Sequence, residues 1–250
     1  MKKLLKQIDK NKTAIDAVRP FEGDTLQQLR EYYRIGLTWT SNALEGNLLT
    51  EVETKVLLED GLTIGGKPLR DTFEALGHSR AYDFMFTLLR NRAISINDIK
   101  MFHRLFYKEI DEINAGTWRK VSVIVTGSNY EFPAPESLER QMHNLANWIV
   151  NERDKLHPIQ FASELHLRFV SIHPFIDGNG RVARLLMNTA LIQDGYLLAI
   201  VPPILRTDYL SAIRVYQSRG DDELFCNFVA ERVLESEKEI IRLLHINMEE

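Results

Sequence analysis

His173-Pro174-Phe175-Ile176-Asp177-Gly178-Asn179-Gly180-Arg181-Val182-Ala183-Arg184 places an imidazole, a carboxylate, two glycines and two arginines within twelve residues. Pro174 stops the preceding helical pattern from running on past His173. Asp177-Gly178 and Asn179-Gly180 are turn dipeptides, and a new helical pattern opens at Arg181. The stretch therefore reads as a tight connection between two helices, 158–172 and 181–193. A glycine-rich turn that opens a helix leaves backbone N–H groups free at the positive end of the helix dipole, and such a place attracts phosphate oxygens. Arg181 and Arg184 are three residues apart and share a helix face, so both guanidinium groups can reach one ligand. Asp177 suits magnesium better than zinc, because no second His or Cys stands nearby at zinc-ligand spacing. His173, with an ordinary pKa of about 6.5, is suited to accept a hydroxyl proton near neutral pH. Turn dipeptides, a lone histidine and an arginine pair are each more often structural than catalytic. Their coincidence in twelve residues points to an active site.

Outward from this turn, apolar residues recur at three- and four-residue steps over 25–44, 68–90, 95–107, 136–150, 207–219 and 221–244. Thr50 with Glu53 has the spacing of a capping box and opens a short helix ending near Gly61. One segment differs: Val121, Val123 and Val125 alternate before Gly127-Ser128-Asn129, the pattern of a β-hairpin over 121–133. With no internal repeat, low-complexity stretch or linker, the sequence predicts one compact all-α domain with a single small hairpin.

Composition excludes several classes. The 250 residues carry a net charge of −4, without the basic stripe of a general nucleic-acid binder. Cys226 is the sole cysteine, so an internal disulfide is excluded and a reducing compartment fits. Lys6, Asp9 and Lys10 interrupt the basic start before any apolar stretch forms, which argues against a signal peptide. Nowhere do 18 apolar residues follow one another, so no membrane span is expected, and the cytoplasm is the default location.

Every fixed position of the Fic family motif, His-x-Phe-x-Asp/Glu-Gly-Asn-Gly-Arg-x-x-Arg, is present from His173 to Arg184. His166, Phe169 and Ile172 also resemble the residues that usually lead into it, and the similarity covers roughly 33–250. The resemblance implies a Fic-type helical bundle with a hairpin flap near the active site, and transfer of AMP from ATP to a hydroxyl of a target protein. It makes His173 the general base and Phe175 a core anchor, with Asp177 holding Mg²⁺ (or Mn²⁺). Gly178, Asn179 and Gly180 would cradle phosphates, and Arg181 and Arg184 would bind the outer ones. The residues alone leave open which phosphorus is attacked; the resemblance favours the α-phosphorus.

A second stretch, Thr40-Ser41-Asn42-Ala43-Leu44-Glu45-Gly46-Asn47, puts Glu45 at the expected C-terminal end of a helix. The macrodipole disfavours a carboxylate there by about 0.3–1 kcal/mol, so a cationic partner elsewhere is a better home, with Arg184 the obvious candidate. Ser41, Glu45 and Gly46 resemble the fixed positions of an inhibitory motif found in many Fic proteins, Ser/Thr-x-x-x-Glu-Gly/Asn. That likeness implies that Glu45 pairs with Arg184 and denies it to the γ-phosphate. It divides the domain into a helical region, 1–60, carrying the inhibitory helix, and a catalytic core with C-terminal helices, 61–250. By the same resemblance Val123, Ile124 and Val125 are the centre of a flap that docks the target by strand addition. Tyr209 resembles a tyrosine that could stack on adenine, although an ordinary core tyrosine is the stronger reading.

The expected partners are ATP and a protein bearing a Ser, Thr or Tyr hydroxyl, this chain itself included. Nucleic acid and membrane are not expected, and a homo-oligomer would be a natural regulator of the inhibitory helix. Many relatives append a winged-helix domain after the core, for which this chain ends too soon. Competing readings are removal of AMP with Glu45 positioning water, transfer of another phosphate-containing group, and a non-enzymatic nucleotide sensor.

Overall fold

A computed structural model describes residues 1–90, 92–125 and 129–247 of the protein. Among the described residues there are ten α-helices and no strand. They are α1 (Lys2–Asp16), α2 (Gly23–Ala43), α3 (Glu51–Asp60), α4 (Leu69–Thr87), α5 (Ile96–Tyr107), α6 (Leu138–Glu152), α7 (Pro158–Ile172), α8 (Asn179–Gln193), α9 (Arg206–Arg219) and α10 (Glu223–Leu243).

The centre is the α7–α8 pair, which packs more extensively than any other two elements. Pro158 sits at the start of α7, where its missing N–H costs nothing, and the His157 ring accepts the Ile159 N–H at 3.2 Å. Apolar residues occupy most faces of α7, and a helix of that kind must be enclosed; Phe161, Leu165, Leu167 and Phe169 are fully buried. From Asn179 to Leu191, α8 is buried except at Gly180. Around this pair, α4 packs on α5 and α2, and α1 lies along α10. One apolar cluster joins Leu5 on α1 to Ile240 on α10 through the central pair. No described helix is long and apolar enough to cross a membrane.

Local signals explain most boundaries. Thr50 and Glu53 form the expected reciprocal box, with Glu53 N–H to Thr50 Oγ1 at 3.2 Å and Thr50 N–H to Glu53 Oε2 at 2.8 Å. Ser95 and Asp98 build a second box at the start of α5. Gly61 and Gly220 close α3 and α9 in the left-handed region, with φ 67° and 70°.

Two features differ from the expectation. Helix α1 has no counterpart in the sequence reading. Its buried line is Leu5, Ile8, Asn11 and Ile15, and the polar Asn11 breaks the apolar period. The hairpin segment is irregular over 121–125 and 129–134, and Gly127 and Ser128 of its expected turn lie outside the described residues. The Arg119 guanidinium joins the two arms in place of a described ladder, donating to Val121 O at 2.8 Å and to Pro133 O at 2.5 Å.

The α1–α10 seam also encloses a carboxylate. Glu237 is 0% exposed. Burial pushes its carboxyl up to about 8, only partly opposed by Asn11. A carboxyl raised in this way favours the folded state fully below its ordinary value of 4.5, and that contribution is lost as pH climbs toward about 8. Glu237→Gln should therefore match wild type in Tm at pH 4 and exceed it by several degrees at pH 8; equal Tm values at both pH values would contradict the buried, protonated state.

Candidate active site

The site is assembled where α7 hands the chain to α8. His173 ends α7 with φ 52° and ψ 58°, a left-handed conformation that costs a non-glycine residue about 1–2 kcal/mol. Arg119 holds it there: its Nε donates to His173 O at 2.8 Å and its backbone N–H to Pro174 O at 2.9 Å. The His173 Nδ1 donates to Val170 O at 3.2 Å, which leaves the Nε2 lone pair for another proton. Burial pushes the imidazole down to about 4, so it is neutral at physiological pH.

The next turn is fixed from both sides. Asn179 Oδ1 accepts the Phe175 N–H and its Nδ2 donates to Phe175 O, both at 2.9 Å. The Phe175 ring is fully buried against His103, with centroids 3.8 Å apart and planes 6° from parallel. His103 accepts the Gly116 N–H on Nδ1 at 2.8 Å, so its Nε2–H donates to Asp177 O at 3.2 Å. Gly178 has φ 76°, and a β-carbon there would lie 2.9 Å from the Phe106 ring, so only glycine fits.

Three guanidinium groups and three carboxylates then meet around the first turn of α8. Arg181 is buried, 3.1 Å from Glu74 and 3.6 Å from Asp177, with its guanidinium 4.3 Å over the Phe106 ring. Asp177 accepts the Gly178 N–H at 2.6 Å and meets Arg70 at 2.5 Å. Burial alone would raise its carboxyl, but Arg181, the Gly178 N–H and Arg70 outweigh that and hold it below the usual carboxylate range. Arg184, 2% exposed, reaches Glu45 Oε1 at 2.8 Å, Ser41 Oγ at 2.9 Å and Ser41 O at 2.7 Å. Glu45 is pushed up by burial but held below its ordinary value by Arg184 and Arg181, so it is ionised. Its carboxylate lies against Gly180, where a β-carbon would collide with it.

His173, Asp177, Gly178, Asn179, Gly180, Arg181, Arg184, Ser41 and Glu45 thus share one site, with Gly46 (φ 95°) turning the chain just after Glu45. Tyr209 belongs to it differently. It is 3% exposed, packed against His166, Phe225 and Phe228, so no ring face is open to a base. Its hydroxyl accepts from Arg184 at 3.2 Å and donates to His166 Nε2 at 2.7 Å, which makes it a prop for Arg184. Val123, Ile124 and Val125 stand apart from the charged cluster, with Ile124 95% exposed. Their segment joins the site at its feet, through Arg119 and through the Phe132 ring 4.6 Å from the His173 ring.

Sequence reasoning missed Arg70, Glu74, His103 and Arg119. Arg70 and Glu74 carry the only visible signal, opposite charges four apart on a helix, and that spacing usually marks a solvated pair. Glu74 is instead buried, and Asn47 Nδ2 donates to its Oε2 at 3.0 Å.

Residues 93–191 match the family model described as "Fic/DOC family". A relative from Drosophila yakuba, "Protein adenylyltransferase Fic", is 33% identical over 229 residues, 91% of this chain and 46% of that protein. The chain thus spans about half the length of the curated relatives it matches. Among solved structures, a fragment of Fic-1 from C. elegans superposes with a TM-score of 0.86 at 28% identity, over 96% of this chain and 72% of that one. A Fic domain containing signaling protein from Bacteroides thetaiotaomicron gives 0.86 at 26% identity, over 97% and 100%.

Because Asn179 satisfies both backbone groups of buried Phe175, Asn179→Ala strands a donor and an acceptor. It should cost about 1–3 kcal/mol in urea unfolding, whereas a loss within error of zero would mean that the turn is held by other contacts.

Proposed function

As this chain belongs to the Fic/DOC family, we propose that it transfers AMP from ATP to a hydroxyl of a target protein and is restrained by its own Glu45. The contact that carries the reading is Glu45 Oε1 on Arg184 Nη2 at 2.8 Å, against the first turn of α8. Glu45 has left the end of its own helix, where the dipole repels it, for the end of another, where the dipole attracts it. An anion already occupies the place that a nucleotide's outer phosphate would need.

In the forward reaction the target hydroxyl attacks the α-phosphorus. A new O–P bond forms, the bond to the β-phosphate oxygen breaks, pyrophosphate leaves, and the hydroxyl proton passes to His173 Nε2. Arg181 and Arg184 offset charge on the departing phosphates, so positioning and electrostatics do most of the work. Burial keeps His173 unprotonated and available, and the approach of phosphate charge raises its basicity where it is needed.

The donor set fits a magnesium ion. Asp177 is one 40% exposed carboxylate beside the phosphate-binding turn, and Mg²⁺ commonly takes one or two carboxylates plus phosphates and waters. No group of three or more His, Cys, Asp or Glu able to hold a metal occurs among the described residues, which favours a cation brought in with the nucleotide. Asp177 would hold it, and the ion would supply charge neutralisation at the phosphates.

With α-labelled ATP and Mg²⁺, Glu45→Gly should label protein on the order of a hundredfold faster than wild type, the gain expected from freeing one transition-state cation. Adding His173→Ala to that variant should remove about 10²–10⁴ of the rate. Equal labelling by wild type and Glu45→Gly would refute the restraint, and no label in any variant would refute AMP transfer. The pH profile is a separate check. A base whose pKa is lowered to about 4 stays active until pH falls well below 6.5, so the acid limb of kcat/KM for Glu45→Gly should lie below pH 6. A limb at 6.5 or above would assign the base to another group.

A further inference from the structure

Arg70, on the first turn of α4, has no part in the transfer described above, yet its guanidinium sits in the charged cluster. Its Nε donates to Glu74 Oε1 at 3.0 Å and its Nη2 meets Asp177 Oδ2 at 2.5 Å. The other Asp177 oxygen, Oδ1, accepts the Gly178 N–H at 2.6 Å and lies 3.6 Å from Arg181. Oδ2 is therefore the oxygen left for an incoming cation, and Arg70 is already on it.

We propose that Arg70 is a tethered stand-in for the divalent cation, occupying Asp177 until a metal–nucleotide complex displaces it. This rests on the reading of Asp177 as the cation's ligand. The tether is Glu74, buried and itself held by Arg181 and Asn47, so the Arg70 head stays close to Asp177 at high effective concentration. The closure is weak enough to open. Arg70 and Asp177 side chains are 52% and 40% exposed, and an ion pair that wet is marginal and easily exchanged. A divalent ion carries twice the charge of a guanidinium and brings phosphate ligands with it, so it wins when nucleotide is present. Without nucleotide, Asp177 has a partner of its own and a bare ion gains little.

The two halves of the site then match. Glu45 stands where the outer phosphate goes and Arg70 where the cation goes, an anion and a cation supplied by the chain in the places of the two parts of one ligand.

The experiment measures binding and does not depend on turnover. AMPPNP is titrated by calorimetry into wild type, Arg70→Gln and Asp177→Asn, each with EDTA or with Mg²⁺, and the ratio of Kd without the ion to Kd with it is compared. If Arg70 competes with the ion, the ratio for Arg70→Gln should exceed that of wild type by about two- to fivefold, the worth of one exposed ion pair. The Asp177→Asn ratio should fall toward one. An Arg70→Gln ratio at or below wild type, with Asp177→Asn still collapsed, would overturn the competition while leaving the cation site standing. An Asp177→Asn ratio equal to wild type would overturn the cation site itself, and the proposal with it.

Discussion

The connection from α7 to α8 constrains everything else. Two almost fully enclosed helices must be joined by a few residues, and the join works only because His173 accepts a left-handed backbone and Asn179 ties off both polar groups of Phe175. Once made, that turn presents an imidazole, a carboxylate and a helix N-terminus to the same space. The surrounding helices can be understood as supports for it. Helix α5 lends His103 beneath the turn, α4 lends Glu74 beside Arg181, and α9 lends Tyr209 beneath Arg184.

Burying two arginines near a helix N-terminus is electrostatically costly unless anions are present. The chain meets that cost with Glu45, Glu74 and Asp177 against Arg70, Arg181 and Arg184. The six groups differ in depth. Glu74 with Arg181 is a dry pair, whose rupture leaves an uncompensated buried charge. Both partners of the Arg70–Asp177 pair are wet, so it opens at little cost, whereas Glu45 is partly exposed but its partner Arg184 is buried and needs another anion when Glu45 leaves. The cluster thus grades from a dry pair, through a half-dry one, to a wet one.

The fold was largely legible because apolar residues on most helices keep a strict three- and four-residue spacing, and because Thr50, Gly61 and Pro158 mark helix ends through chemistry local to them. Helix α1 was illegible for a matching reason: Asn11 occupies a core position, and a polar residue there erases the period. At the site, the His173 to Arg184 segment is contiguous and could be read directly. Glu45 was legible through a conflict with its own helix dipole. Arg119, His103 and Glu74 act by reaching across the fold to a backbone oxygen or a buried guanidinium, and nothing in their immediate neighbours announces such a reach. For Tyr209 the stronger of the two readings is a core tyrosine, and the residue is indeed buried, with its hydroxyl on Arg184.

Arg119 links two things that are usually considered separately. One guanidinium touches both arms of the 121–133 segment, and its Nε holds the carbonyl of His173. Residues 123–125 lie beyond that anchor. A substitution beyond the anchor therefore leaves the support of the imidazole in place, whereas loss of Arg119 frees both arms and the His173 carbonyl together. The same side chain thus couples the two arms of an irregular surface segment to the backbone of the residue that ends α7.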